Sequence, residues 1–288
     1  MSSTSALKGR IKSVKNTKQI TKAMQLVAAS KMRRAQDMAT KSRDFKNLAA
    51  QLLTRLRELT DVSKHPLFAV REVKTRLYIL VTSDRGLAGA YNSNMLRAFM
   101  AELKSDREKS VKSQIILVGK QGAKFAARIE DLEVISAYHG LNDKPTVDQM
   151  RPLLEQIITL YTDQKVDAVD VLYTDFKSSV VQIVTNQHLL PAAFTEVELT
   201  EEMHEATFEP SVQAVLDNVT KRLVESQLWQ SLVESQASEH SMRMMAMKSA
   251  TDNASDLIDD LTLEMNTARQ AAITQELAEI TGGAEAIK

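Results

Sequence analysis

Apolar residues recur every seven positions at both ends of this chain and cluster in short runs through its middle. Toward the N-terminus one row reads Met24, Lys31, Met38, Phe45, Leu52, Leu59, and four residues after the first five come Ala28, Ala35, Ser42, Ala49 and Leu56. One row is large and the other mostly small, as two closely packed helices require. Toward the C-terminus one row reads Val212, Val219, Ser226, Val233, His240, Met247, Ala254, Leu261, Ala268, Gln275. Its companion reads Leu216, Leu223, Gln230, Ala237, Met244, Thr251, Ile258, Met265, Ala272, Glu279, and fourteen of the twenty positions are apolar. This is the grammar of a coiled coil.

Helix breakers bound the two segments. Neither glycine nor proline occurs between Gly9 and Pro66, nor between Pro210 and Gly282. The first stretch would span roughly 80 Å and the second roughly 105 Å as helix, too long for a compact globule, with an overhang of roughly 25 Å at the C-terminal end. The sequence thus predicts one stiff antiparallel rod. Its parts are an N-terminal coiled-coil helix over 1–66, a central α/β domain over 67–208 and a C-terminal coiled-coil helix over 209–288.

The middle alternates in type. Strands are expected at Arg76–Ser83, Gln114–Gly119, Glu133–Tyr138, Ala168–Phe176 and Val180–Leu190. Helices are expected at Ser93–Leu103, Lys120–Ile129 and Thr146–Thr162, the last opened by Pro145. Such alternation implies a mainly parallel, Rossmann-like α/β sheet ending in a hairpin.

Charge changes the picture through its distribution. The total balances, but residues 1–43 carry eleven Lys or Arg against Asp37 alone, while 251–288 carry eight acids against Arg269 and Lys288. Antiparallel pairing would set the basic start beside the acidic end, which decides direction more than stability. The chain has no cysteine, so thiol chemistry is excluded and a reducing compartment is the easier home. The first residues show no apolar signal region, and no stretch approaches the ~20 apolar residues of a membrane span.

Candidate chemistry is thin. Thr82–Asn94 (TSDRGLAGAYNSN) follows the first strand, where α/β domains bind phosphates, but it matches neither G-x-G-x-x-G nor a Walker loop, and turn chemistry outweighs nucleotide binding. Gly119-Lys120-Gln121-Gly122 fails the same test. His65, His139, His188, His204 and His240 share no metal-ligand spacing, although His240, on a seam row, can set helix register. Asp259 and Asp260 point in different directions on a helix and read as an acidic face. Met242, Met244, Met245 and Met247 read mostly as core, with a flexibility that also suits a surface meeting several shapes. No catalytic constellation assembles, and no metal or cofactor is expected.

Arg10–Gln36 (RIKSVKNTKQITKAMQLVAASKMRRAQ) resembles the N-terminal signature helix of the F-type ATP synthase γ subunit family, and Met242–Gly283 resembles its C-terminal signature. The middle matches at VTSDRGLAGAYNSN, where Leu87-Ala88-Gly89-Ala90 departs from the cysteine and second glycine the family often carries. The cysteine-bearing insert of chloroplast forms is absent, so thiol regulation is not expected. The resemblance implies a non-catalytic central-stalk rotor within a ring of α and β subunits. Its head would lie near the ε subunit and the membrane ring of c subunits, at the cytoplasmic side of the bacterial inner membrane. It further implies that Lys22 and Met24 face an acidic segment of a β subunit. Arg243, Lys248, Arg269, Gln270, Thr274 and Glu276 would face α and β loops. The alternative is a coiled-coil scaffold, or a nucleic-acid tether using the basic arm, with an α/β head.

Overall fold

The structure, a computed structural model, describes residues 4–130, 132–140, 146–194, 197, 199 and 207–285. Its chain order is α1 (Thr4–Leu59), β1 (Thr75–Val81), α2 (Tyr91–Glu108), β2 (Lys112–Val118), α3 (Lys120–Ala126) and β3 (Glu133–Tyr138), then α4 (Val147–Thr162), β4 (Ala168–Phe176), β5 (Gln182–Leu190) and α5 (Val212–Glu285). Two short 3-10 turns, Val62–Lys64 and Pro66–Phe68, follow α1. The fold is thus the expected combination of a Rossmann-like α/β sheet with long terminal helices. Helix α1 runs through Gly9 for 56 residues. Helix α5 runs 74 residues and passes Gly282, where the sequence alone suggested a stop. Pro145 and His204 lie outside the described residues, as do the side chains of Ser42 and Phe45.

The chain divides into two compact units, one of Met1–Ala28 with Arg243–Lys288, the other of Ala29–Met242. The larger unit holds a five-stranded sheet in the order β3-β2-β1-β4-β5. β1, β2, β3 and β4 pair in parallel, and β5 closes on β4 as an antiparallel hairpin. The apolar runs of β1 and β2 are buried on both faces, as parallel strands between helical layers must be. On one face Leu77, Ile79, Val169 and Val171 pack with Met150, Leu153 and Ile157 of α4 and with Val224, Leu228 and Leu232 of α5. On the other, Tyr78, Leu80 and Leu117 pack with Met95, Phe99 and Leu103 of α2. Thr146 opens α4 with a capping box, its side chain on the third residue's amide and Gln149 reaching back.

Within this unit α1 lies antiparallel along α5. Ala35 and Ala39 meet Val233 and Ala237, and Ala49, Leu53 and Leu56 meet Leu216 and Leu223. The described members of the small row, Ala28, Ala35, Ala49 and Leu56, are therefore buried as expected. The large row lies beside it: Met38 is half-buried and packs against the Ala35–Ala237 cluster, Leu52 is half-buried and Leu59 exposed, while Met32, Ala39 and Leu53, four residues beyond the small row, are more deeply buried. Both stripes satisfy a heptad, and the side on which α5 lies selects between them.

A charged cluster sits under the sheet. Buried Asp106 accepts from the Tyr78 hydroxyl at 2.7 Å, from Ser113 Oγ at 3.1 Å and from Arg76 Nε at 3.3 Å. Arg76 also reaches Asp170, whose other oxygen meets His188 Nδ1 at 2.6 Å. Burial first, and the Asp106 carboxylate second, push the Tyr78 hydroxyl well above the ordinary phenol range. Each buried carboxylate is thus hydrogen-bonded, as burial demands.

Candidate interaction surfaces

The Thr82–Asn94 loop stands outside the carboxyl ends of the strands, where an α/β sheet offers a ligand crevice. Here the backbone donors of the facing turns are already taken. Asp84 accepts from Lys120 N at 3.0 Å and from Gly140 N at 2.8 Å, and Thr82 Oγ1 accepts from Gly122 N at 2.9 Å. Ser83 and Asn92 bond one another across the turn. Gly119 has φ 95°, and a Cβ there would stand 2.1 Å from the Thr82 carbonyl oxygen. The glycine allows two loops to touch. The carboxylate of Asp84 fills the place an anion would need.

The paired helix ends of the smaller unit are a different kind of surface. Leu7 and Ile11 of α1 pack with Leu261, flanked by Val14, Ile258, Met265 and Ala268. Among the buried and half-buried positions one stripe on α1 runs Leu7, Ile11, Val14, Lys18, Thr21, Gln25, Ala28, and one on α5 runs Met247, Thr251, Ala254, Ile258, Leu261, Met265, Ala268. Both alternate spacings of three and four, the coiled-coil period. Buried Thr21 and Thr251 meet hydroxyl to hydroxyl at 2.8 Å and fix the register. The pairing is antiparallel.

Outside this seam charged side chains face outward. Lys8, Arg10, Lys12, Lys15 and Lys22 are exposed on α1, and Asp252, Asp256, Asp259, Asp260 and Glu264 are exposed on α5. Among the described residues no ion pair within 4.0 Å joins these two sets. The expected charge match is not made as contacts, because small and apolar residues occupy the seam and put the charges on outward positions. Large apolar groups are bare as well: Ile20, Leu26 and Val27 on α1, and Met245, Leu257 and Leu263 on α5.

The residues singled out from sequence fall into two groups. Lys22 is exposed, its Nζ donating to Gln25 Oε1 at 3.3 Å, and Met24 is half-buried beside the seam. Counting from the Thr21–Thr251 contact, Met24 lies level with exposed Lys248, and half-buried Arg243 is about one turn further along. Arg269, Gln270, Thr274 and Glu276 are all exposed and lie past Ala268, the last residue of α5 that packs on α1. Thr274 Oγ1 bonds the Gln270 carbonyl, and the other side chains project into solvent.

From Arg269 to Gly282 every residue of α5 is exposed, fourteen in all. That is an overhang of about 21 Å, close to the length arithmetic of the sequence. Sequence reasoning missed its apolar stripe, Ile273 at 49%, Leu277 at 58% and Ile280 at 68% exposure. Spacings of four and three set them on one face. The signal was present as helical periodicity in a stretch with no partner row. Of the methionines, Met247 is buried, Met242 and Met244 half-buried and Met245 exposed.

Comparisons with known proteins agree with this arrangement. A family model described as ATP synthase matches residues 3–287. The chain is 40% identical over 282 residues to the ATP synthase gamma chain of Moorella thermoacetica, with 98% of each covered. It is 41% identical over 282 residues to that of Pelotomaculum thermopropionicum, again with 98% of each covered. It is 37% identical over 288 residues to that of Xylella fastidiosa, with each fully covered. Among solved structures, a chain of the Euglena gracilis mitochondrial ATP synthase aligns with TM-score 0.69 at 18% identity, over 99% of this chain and 94% of that one. A chain from the central stalk and c-ring of the Tetrahymena thermophila enzyme aligns with TM-score 0.63 at 24% identity, over 80% of this chain and 99% of that one.

Proposed function

The chain belongs to the ATP synthase gamma-chain family, and on that premise we propose that it is the shaft of a rotary ATP synthase, coupling rotation of a membrane ring to the conformational cycling of catalytic subunits. Residues 1–66 and 209–288 supply the shaft and 67–208 the head. ATP chemistry belongs to the β subunits, and the coupling ion is a proton or sodium.

One observation carries the reading. The end of α5 leaves its own partner helix and presents Ile273, Leu277 and Ile280 to water. An apolar stripe of this kind marks a surface that another protein covers. A socket at the top of a ring of α and β subunits fits its shape and its position at a helix end. The reading as a scaffold or nucleic-acid tether rests on the basic face alone, and full-length relatives named ATP synthase gamma chain favour the rotor.

Lys22 and Met24, level with Lys248 and near Arg243, form the contact with an acidic segment of a β subunit. Arg269, Gln270, Thr274 and Glu276 meet loops of the α and β subunits. Exposed charges and amides are suited to contacts remade at each angle, because each is weak and reversible in water. A curved shaft showing a different face to each catalytic site would bias those sites toward different affinities. The head contacts the ε subunit and the c ring, and so the chain is held peripherally on the cytoplasmic side of a bacterial inner membrane. No helix among the described residues is long and apolar enough to cross it.

Met24→Lys tests the contact. A second cation beside Lys22 tightens the hold on the acidic segment and lowers ion pumping per ATP hydrolysed in assembled vesicles. Unchanged coupling in that variant would remove Met24 from the interface.

A further inference from the structure

The face of α5 that lies on the head is fastened by serine hydroxyls as well as by apolar contacts. Ser231, Ser235, Ser238 and Ser241 recur at spacings of four, three and three, and all are buried. Each meets the β4–β5 hairpin. Ser231 Oγ lies 2.9 Å from Gln187 Oε1 and 2.9 Å from the Gln227 carbonyl, one proton serving either, and Ser235 Oγ accepts from Thr174 N at 3.2 Å. Ser238 Oγ donates to the Thr174 carbonyl at 2.9 Å, and Ser241 Oγ to the Ser179 carbonyl at 2.8 Å. Gln182 Nε2 donates to Ser241 Oγ at 3.3 Å, and the Tyr91 hydroxyl at the start of α2 meets Ser235 Oγ at 2.7 Å.

The sheet explains why hydroxyls are needed there. β1 pairs with β4 only as far as Leu80 and Leu172, whereas β4 continues to Phe176. Beyond β1 the chain turns to the other neighbour, Thr82 N bonding Val118 O of β2. The amide and carbonyl of Thr174 are left without a strand on that side. A buried backbone group must find a partner. Two serines of α5, one turn apart, bond both ends of this residue, so helix side chains complete the edge of a strand.

We propose that this serine ladder is the torque-bearing anchor between the long helix and the head. The proposal rests on the rotor reading and deepens it. Apolar burial is non-directional, so a helix held by apolar packing alone can roll or slide with little change in buried area. Hydrogen bonds weaken steeply with distance and angle. Anchors spread over nearly three turns of α5 therefore resist both rolling about the helix axis and sliding along it. Ser231, Ser235, Ser238 and Ser241 act as positioning residues, holding the angular phase of the shaft against the sheet while load is applied.

The test compares assembled complexes carrying Ser235→Ala/Ser238→Ala/Ser241→Ala, Ser238→Thr or Leu228→Ala, with the ring fixed and a probe on the head. Leu228 packs in the same helix–sheet core and controls for lost stability. The expected result is a lower torsional stiffness, and a coupling ratio that falls with opposing load, in the triple variant alone. Ser238→Thr keeps the hydroxyl and should remain near wild type. Wild-type stiffness in the triple variant, or equal softening in Leu228→Ala, overturns the anchor. Failure of the wild-type complex to rotate overturns the rotor reading itself. Amide exchange in the isolated chain gives a second measurement should the triple variant not fold: Ser235→Ala should speed exchange at Thr174, and unchanged protection there overturns the anchor.

Discussion

Replacing Ile273, Leu277 and Ile280 together by glutamine separates what the end of α5 does for its own chain from what it does for a partner. All three side chains are about half to two-thirds exposed and pack on nothing in α1. Glutamine is a good helix former, so the helix should persist. Surface changes of this kind move stability by no more than about 0.5 kcal/mol. Full burial of a leucine or isoleucine is worth about 1.5–3 kcal/mol, so the part still exposed offers about 1–1.5 kcal/mol per residue on docking. Three residues together contribute about 3–4.5 kcal/mol, a loss of about a hundred- to two thousand-fold in affinity. Chemical denaturation of the isolated chain and titration into purified α and β subunits measure the two quantities. The expected pair of results is an unchanged unfolding midpoint and a much weaker association. A destabilised chain would mean that the stripe packs internally, and undiminished association would mean that no socket covers it.

Two further outcomes concern the larger unit. Gly119→Ala places a Cβ 2.1 Å from the Thr82 carbonyl at a residue with φ 95°. Unfolding in denaturant should report a loss of at least about 2 kcal/mol, and a loss below about 0.5 kcal/mol would mean that the loops do not touch there. His65 Nδ1 accepts from Leu67 N, and its Nε2 meets Asp217 at 3.2 Å, which requires the neutral ring. Burial lowers its pKa below the usual 6.5, with Asp217 opposing and Lys221 adding to the shift. The unfolded chain thus takes up the proton first: His65 contributes stability that is present above pH 6.5 and is lost as pH falls through the lowered value. His65→Asn keeps a capping oxygen and should remove that part of the decline between pH 7 and 5, a result that an unchanged slope would refute.

The parts of the fold that announce themselves locally were legible in the sequence. The runs around Ile79 and Ile116, the hairpin of β4 and β5, and the seven-residue rows of both terminal helices all follow from periodicity. What was not legible depends on where distant segments meet. Nothing in α1 says whether Met24 and Met38 or Met32 and Ala39 close the seam, because either stripe is a valid heptad until α5 takes a side. The serines at 231, 235, 238 and 241 read as neutral residues in a helix, and only the unpaired edge of β4 at Thr174 gives them a purpose. The opposed charges of the two ends were visible. Their separation into outward faces was not, since composition does not say which positions the seam leaves over. Asp84 is a similar case: its loop looked like a weak phosphate motif, and two backbone donors from α3 and the residue after His139 make it a self-contained turn.

If this chain turns within a ring of partner subunits, a probe attached to the head of the assembled complex, with the ring held to a surface, must turn with it. Sustained rotation in one direction is expected on addition of ATP. A head that stays fixed while the complex hydrolyses ATP would contradict it.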